Sequence, residues 1–272
     1  MTSIKCPALA FQGQYGLPLS EIDEEGNAIR DLIEQGALFV SNHSGGKDSQ
    51  AMLIRLLEIV PAGQMVVVHA SLGDMEWPGA MELAQEQADA AGLPFIVARA
   101  SKTLLEMVAR RFENRPEVPS WPSASTRQCT SDLKRGPIQR EVRRYAKANG
   151  FKVIVNCLGL RAAESPGRAK RRTFSKMGIS NSVSTWYEWL PIHKLLTPDV
   201  FRAIDADGQM PHYAYSLGND RLSCVFCIMG SRGDLRNGAA RHPELLAEYD
   251  ALERHTGYTM HMSRIPLMEL SS

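Results

Sequence analysis

Ser44-Gly45-Gly46-Lys47-Asp48-Ser49 is the stretch whose residue types could most directly do chemistry. Two consecutive glycines permit positive φ and a close backbone approach, so successive N–H groups can turn toward one anion. Ser44 and Ser49 add hydroxyl donors, and Lys47 offers a cation for phosphate oxygens. The GxxxxGK[ST] spacing of a Walker A loop is absent, which leaves a different phosphate cradle or a tight turn capped by Asp48 or Ser49. A second polar group stands at Gly159-Leu160-Arg161-Ala162-Ala163-Glu164-Ser165-Pro166-Gly167-Arg168. Its two guanidinium groups suit bidentate contact with phosphate, and Glu164 could orient one of them or join Asp48 on Mg²⁺. A surface ion pair at a helix start would use the same residues. Asp74 and Glu76 suit either a nucleotide contact or a turn and helix cap.

The cysteines form a third group. Cys224-Val225-Phe226-Cys227 is a CxxC that could be a zinc half-site, a redox dithiol, an iron–sulfur half-site or a small buried pair. No second CxxC or nearby CxxH completes a zinc quartet, and HxxxH and HExxH spacings are absent. Cys157 sits inside an apolar run and reads as core, while Cys6 near the terminus reads as inert.

Alternating strands and helices must position these residues. Ala37–Asn42, Met65–Ala70, Pro94–Ala98 and Phe151–Leu158 are short apolar runs of strand type. Between them, helical spacing runs over Gln50–Val60, Pro78–Ala91, Lys102–Phe112 and Lys134–Asn149, the last stopped by Asn149-Gly150. An amphipathic helix precedes the first strand within EIDEEGNAIRDLIEQG, and residues 113–127, with three prolines, form a loop. The pattern predicts an α/β fold with a doubly wound, mainly parallel sheet, whose ligands bind beyond the carboxyl ends of the strands. Three regions are expected: a helical segment at 1–36, the α/β nucleotide-binding core at 37–196, and a mostly helical extension at 197–272 carrying the CxxC.

Composition narrows the class. The chain has 272 residues, 44% hydrophobic and 22% charged, which excludes disorder, collagen and a disulfide miniprotein. Lys+Arg 31 against Asp+Glu 30 argues against a wholesale polyanion coat. No run approaches the roughly 18 apolar residues of a membrane span, and the N-terminal residues lack the apolar core of a signal peptide. A cytoplasmic protein without membrane association is expected. Arg168-Ala169-Lys170-Arg171-Arg172, with Lys176, could track a nucleic-acid backbone or simply be a solvated loop. Arg140, Arg143, Arg144 and Lys147 read as the solvated face of one helix. Trp186, Tyr187 and Trp189 read as a strand or turn packed on the core.

Taken in order, these segments resemble a known family. SGGKDS after the first strand is similar to the pyrophosphate loop of the PP-loop ATP pyrophosphatases, a branch of the adenine nucleotide alpha-hydrolase-like fold. Val68-His69-Ala70-Ser71-Leu72-Gly73-Asp74-Met75-Glu76-Trp77-Pro78, Cys129-Thr130-Ser131-Asp132-Leu133-Lys134-Arg135-Gly136-Pro137-Ile138 and the Gly159–Arg168 segment resemble three motifs of its phosphoadenosine-phosphosulfate (PAPS) reductase-like branch. The likeness covers roughly residues 37–230.

The resemblance implies an enzyme that cleaves ATP between the α- and β-phosphates and adenylates an acceptor for attack by nitrogen or sulfur. It implies catalytic roles for Lys47, Asp48, Arg161 and Glu164. Nucleotide contacts fall to Ser44, Gly45, Gly46, Lys47, Asp48, Ser49, Asp74, Gly159, Arg161, Ser165 and Arg168. ATP and Mg²⁺ are the expected cofactors. Cluster-bearing relatives draw iron ligands from the segment around Cys129 and from a later CxxC. Here Gln128-Cys129 replaces a cysteine pair, so Cys129, Cys224 and Cys227 would hold a [4Fe–4S] cluster with one iron left open. An open iron could carry a hydrosulfide to the activated acceptor. Relatives take part in DNA phosphorothioation and tRNA thiolation, which implies a nucleic-acid acceptor, a cysteine desulfurase as sulfur source and further modification-complex subunits. Two alternatives stand beside this one. A sulfonucleotide reductase needs a C-terminal nucleophilic thiol, and no Cys follows Cys227; a non-catalytic nucleotide-binding subunit would use the loop for binding alone.

Overall fold

Leu38-Phe39-Val40 is apolar without alternation, the pattern of a strand covered on both faces, and it forms the middle of the sheet. In the computed structural model, which describes residues 24–272, six strands run in the order β3 (Phe95–Arg99), β2 (Met65–Ser71), β1 (Leu38–Asn42), β4 (Val153–Cys157), β6 (Thr185–Trp189) and β5 (Phe174–Lys176). Every neighbouring pair is parallel except β5 and β6. Phe39 lies opposite Met65 on one side of β1, and Leu38 lies opposite Ile154 on the other. Cys6 and the first residues of the expected N-terminal helix lie outside the described residues.

The helices follow as α1 (Glu24–Glu34), α2 (Lys47–Ile59), α3 (Ala80–Ala90), α4 (Leu104–Asn114), the short α5 (Gln128–Thr130) and α6 (Gly136–Ala148). Then come the short α7 (Pro166–Ala169), α8 (Thr197–Ala206), α9 (Arg232–Arg241), α10 (Pro243–Thr256) and the short α11 (Leu267–Leu270). Helix α2 starts at Lys47, ahead of the Gln50 start expected from apolar spacing, because extended Gly46 already serves as its N-cap. Lys47, Asp48 and Ser49 are therefore first-turn residues. Helical structure also begins ahead of Lys134, where α5 passes through a π turn (Ser131–Arg135) into α6. Pro137 has no N–H to continue an α ladder there, and the wider turn accommodates the break. The Trp186 segment is a full strand, β6, paired with β4, and β5 was not expected at all.

Side chains of β1 alternate between two apolar layers. Leu38 and Val40 pack with Val66, Val68, Ile154 and Trp186 under Val142 and Ala146 of α6. Phe39 packs with Met65, Val67 and Cys157 under Met52, Leu53 and Leu56 of α2 and Ile29 and Leu32 of α1. A third cluster joins Trp77, Leu104 and Val108 to Phe226, Leu235 and Tyr249 near the other end of the chain. Because β1 has β2 on one side and β4 on the other, the chain leaves β1 and β4 toward opposite halves. The crevice between their exits is the switch point where such sheets bind ligands.

Candidate active site

The loop after β1 sits in that crevice, and its glycines are there for space. Gly45 has φ +74°, and a Cβ on it would lie 2.3 Å from the Ala80 carbonyl oxygen at the start of α3. Its N–H donates to His43 Nδ1 at 3.1 Å, which puts the proton of that buried imidazole on Nε2. Ser44 N–H donates to Ser49 Oγ at 3.2 Å, and the Ser49 hydroxyl donates to the Gly46 carbonyl at 2.8 Å. The two serines thus brace the loop as well as lining it.

Lys47 does not project freely above the loop. It is 3% exposed, and its Nζ donates to the Asp220 carbonyl at 3.1 Å while lying 3.4 Å from Asp48 Oδ2 and 4.9 Å from the Tyr215 ring centre. Its backbone N–H donates to the Tyr215 hydroxyl at 3.0 Å. Burial, above all, pushes Tyr215 up to about 12, so the phenol stays neutral beside the loop. Neither Tyr215 nor Asp220 carries a sequence signal linking it to this site.

The segment after β4 docks on the same turn. Gly159 is required by contact, since a Cβ there would stand 2.9 Å from the Asp48 carbonyl oxygen and 3.1 Å from Ser49 N. Arg161, 3% exposed, donates from Nε to Asp48 Oδ1 at 2.6 Å and from Nη1 to the Leu195 carbonyl at 3.3 Å. Glu164 accepts from the Arg161 N–H at 2.8 Å, pairs with Arg168, and has Arg221 at 4.0 Å. Burial works to raise Glu164, but the Arg161 amide and the Arg168 and Arg221 cations outweigh it and hold the carboxyl below its usual range. Ser165 caps α7 by accepting from the Arg168 N–H at 3.2 Å. Lys47, Asp48, Arg161, Glu164 and Arg168 therefore form one connected charge network, with each carboxylate already facing cations.

Beyond the ends of β2 and β3 lies a cavity of about 650 Å³ whose lining includes Asp74, Glu76, Trp77, Arg99, Lys102 and His242. None of residues 44–49 lines it, so Asp74, exposed on a short turn, stands apart from the loop network. Glu76 links the two regions. It accepts from the Leu72 N–H at 2.8 Å and lies 2.9 Å from His69 Nε2, while His69 Nδ1 is 2.8 Å from the His43 carbonyl. Both His69 nitrogens thus face oxygen atoms.

The three cysteines come together on the far side of Glu76. A backbone bridge pairs Glu76 with Cys224, and the Val225 N–H donates to the Met75 carbonyl at 2.9 Å. Helix α9 presses on this turn through Gly238, where a Cβ would lie 3.0 Å from Val225. Burial pushes Cys224 up to about 11, with Lys134 pulling the other way and Cys227, Cys129 and Glu76 adding to the rise. Burial and Cys227 likewise raise Cys129. Around Lys134, burial opposes the charge, but Cys224, Cys227, Glu76 and Cys129 outweigh it and hold the ammonium above its usual range. Among the described residues, no group of three His, Cys, Asp or Glu side chains is disposed to hold a metal ion. Cys129, Cys224, Cys227 and Lys134 act on one another electrostatically, and the three thiols also act on the buried Tyr249 hydroxyl. Cys157, by contrast, is fully buried within β4, and burial pushes its thiol far up, as expected for core.

A mainly parallel six-stranded sheet covered by helices on both faces, with a glycine loop at its switch point, defines a doubly wound α/β protein. The chain belongs to the phosphoadenosine phosphosulfate reductase domain family, whose model matches residues 38–229. That span takes in the loop, the Gly159–Arg168 segment and all three clustered cysteines. An uncharacterized 37.8 kDa protein of Escherichia phage 186 is 28% identical over 134 residues, 49% of this chain. The match spans 39% of the length of that curated relative. Among solved structures, PAPS reductase from Candida auris in its phosphate complex has TM-score 0.48 and 13% identity over 73% of this chain and 86% of that one. The U34-tRNA thiolase NcsA from Methanococcus maripaludis, with its [4Fe-4S] cluster, has TM-score 0.43 and 14% identity over 87% of this chain and 78% of that one. FMN adenylyltransferase from Candida glabrata has TM-score 0.45 and 12% identity over 70% and 55%. No described helix is long and apolar enough to cross a membrane.

Proposed function

We propose that the chain is an ATP pyrophosphatase that adenylates an acceptor for sulfur transfer. The observation that carries this reading is the docking of the complete SGGKDS loop on the Gly159–Arg168 segment at the switch point, with Arg161 bonded to Asp48. In the first step an acceptor oxygen bonds to the α-phosphorus of ATP, and the bond to the bridging oxygen of pyrophosphate breaks. Loop N–H groups, the α2 N-terminus, Lys47 and the Mg²⁺ arriving with the nucleotide stabilise charge on the leaving pyrophosphate. Arg161 holds Asp48, and Glu164 pairs with Arg168. In the second step a hydrosulfide bonds to the activated acceptor atom and AMP leaves, with no net oxidation or reduction.

Cys129, Cys224 and Cys227 would hold a [4Fe–4S] cluster, which when bound supplies an open iron where hydrosulfide can wait. Exposed Lys170, Arg172 and Lys176 favour an extended anionic acceptor such as nucleic acid, whereas Arg168 and Arg171 are engaged with Glu164 and Glu188. A cysteine desulfurase would supply the sulfur. The test is product analysis of labelled ATP with Mg²⁺, wild type beside Asp48→Ala. AMP and pyrophosphate, lost in the variant, are expected; ADP and phosphate would overturn the assignment. The family match itself favours a second reading, a sulfonucleotide reductase. Tight PAPS binding without ATP binding in a titration would select it.

A further inference from the structure

Both donors of Lys47 are taken by one distant segment, 215–222. The Tyr215 hydroxyl accepts from the Lys47 N–H at 3.0 Å, and the Asp220 carbonyl accepts from Nζ at 3.1 Å. Lys47 opens α2, so its N–H is one of the donors that a helix start leaves for an outside acceptor, the kind that anion oxygens claim. The segment also covers the glycine before it. A Cβ on Gly46 would lie 3.2 Å from the Tyr215 hydroxyl and 3.3 Å from Leu222 Cβ, so both ends of the segment rest on the loop. The Ser44 and Gly45 N–H groups are spent nearby, on Ser49 Oγ and His43 Nδ1. Lys47, by contrast, is satisfied by oxygens from outside the loop and its helix.

The segment is not held equally along its length. Asn237 Nδ2 of α9 donates to the Leu217 carbonyl at 2.8 Å and to Asn219 Oδ1 at 2.9 Å, and the Asp220 N–H donates to Asp234 Oδ1 at 2.9 Å. The half-buried Tyr215 ring meets Phe201 of α8 edge-on, with centroids 5.7 Å apart. A ring in an edge contact can turn while the backbone around it stays fixed, and the flexible stem of Lys47 lets Nζ turn as well. We propose that the Tyr215 hydroxyl and the Asp220 carbonyl are built-in competitors for the phosphate position of the loop. A phosphate group enters as Tyr215 swings out and Lys47 transfers its donors to the anion, and the return of Tyr215 helps pyrophosphate leave. This rests on the reading of the Ser44–Ser49 loop as phosphate-binding.

The test is calorimetric titration of wild type and Tyr215→Phe with pyrophosphate and Mg²⁺. The variant keeps the ring but frees the Lys47 N–H, and is expected to bind about two- to tenfold more tightly, the worth of one hydrogen bond. Equal binding would overturn the proposal. So would weaker binding, by showing that the phenol joins the anion instead of making way for it. A second measurement needs no variant: N-acetylimidazole acetylates accessible tyrosine hydroxyls, and mass spectrometry locates the label. Tyr215 of the wild type is expected to be labelled faster with Mg-pyrophosphate than without, and an equal or slower rate would overturn the proposal even if the variant did not fold. Wild type and variant that both fail to bind pyrophosphate would refute the phosphate reading of the loop, and the competition falls with it.

Discussion

Arg161 is the buried centre of the charge network, and its planar fork serves two acceptors at once, Asp48 Oδ1 and the Leu195 carbonyl. Arg161→Met would leave Asp48 with Lys47 alone and the carbonyl with nothing. Because Asp48 is 21% exposed at its side chain, solvent recovers part of the loss, and destabilisation of about 1–3 kcal/mol in urea melts is expected. Arg161→Lys is expected to restore little, since an ammonium lacks the fork. His43 sets a pH dependence at the same scale. Burial chiefly, with the His69 charge adding and Gln87 opposing, pushes its imidazole down to about 3. The unfolded chain takes up that proton below about pH 6.5, while the folded one does not until near 3. Stability therefore falls as pH drops through this window, by up to about 1.4 kcal/mol per pH unit from His43. His43→Gln is expected to flatten the slope between about pH 6 and about pH 4 in melts run across that range.

At the scale of elements, two glycines with similar backbone angles separate strain from crowding. Gly45 (φ +74°) faces the backbone of α3, whereas Gly73 (φ +63°) has nothing within 4 Å of an added Cβ. Gly45→Ala is expected to cost about 2–5 kcal/mol, since the left-handed conformation and the clash combine. Gly73→Ala is expected to cost about 1 kcal/mol, from the conformation alone. Urea midpoints of the two variants, measured side by side, check the difference. The contrast also marks what the sequence made legible. The strand, glycine turn and helix around Ser44–Ser49 were readable because apolar run, loop and amphipathic helix follow one another locally. The direction of Lys47 was not, because it depends on Tyr215 and Asp220, far along the chain. Strand β6 escaped a firm reading because its burial does not alternate strictly and no long crossover helix precedes it. The cysteines were linked by resemblance alone.

Over the whole molecule, the third apolar cluster ties the exits of the sheet to the C-terminal helices, so the cysteine turn is anchored by packing from both. One stretch of chain spans the gap between the Ser44–Ser49 loop and the cysteine turn. At Tyr215 and Asp220 it holds the backbone N–H and the ammonium of Lys47, and at Cys224 it bridges Glu76. A phosphate oxygen that claims the Lys47 N–H must take it from the Tyr215 hydroxyl. Mg-ATP is therefore expected to change the alkylation rates of Cys224 and Cys227 in the iron-free protein without touching either thiol. Equal rates with and without nucleotide would show that the stretch transmits nothing. The stretch is built like a tie rod, anchored at Lys47 on one end and at Glu76 on the other, so that a pull at the loop is expected to reach the cysteine turn as tension.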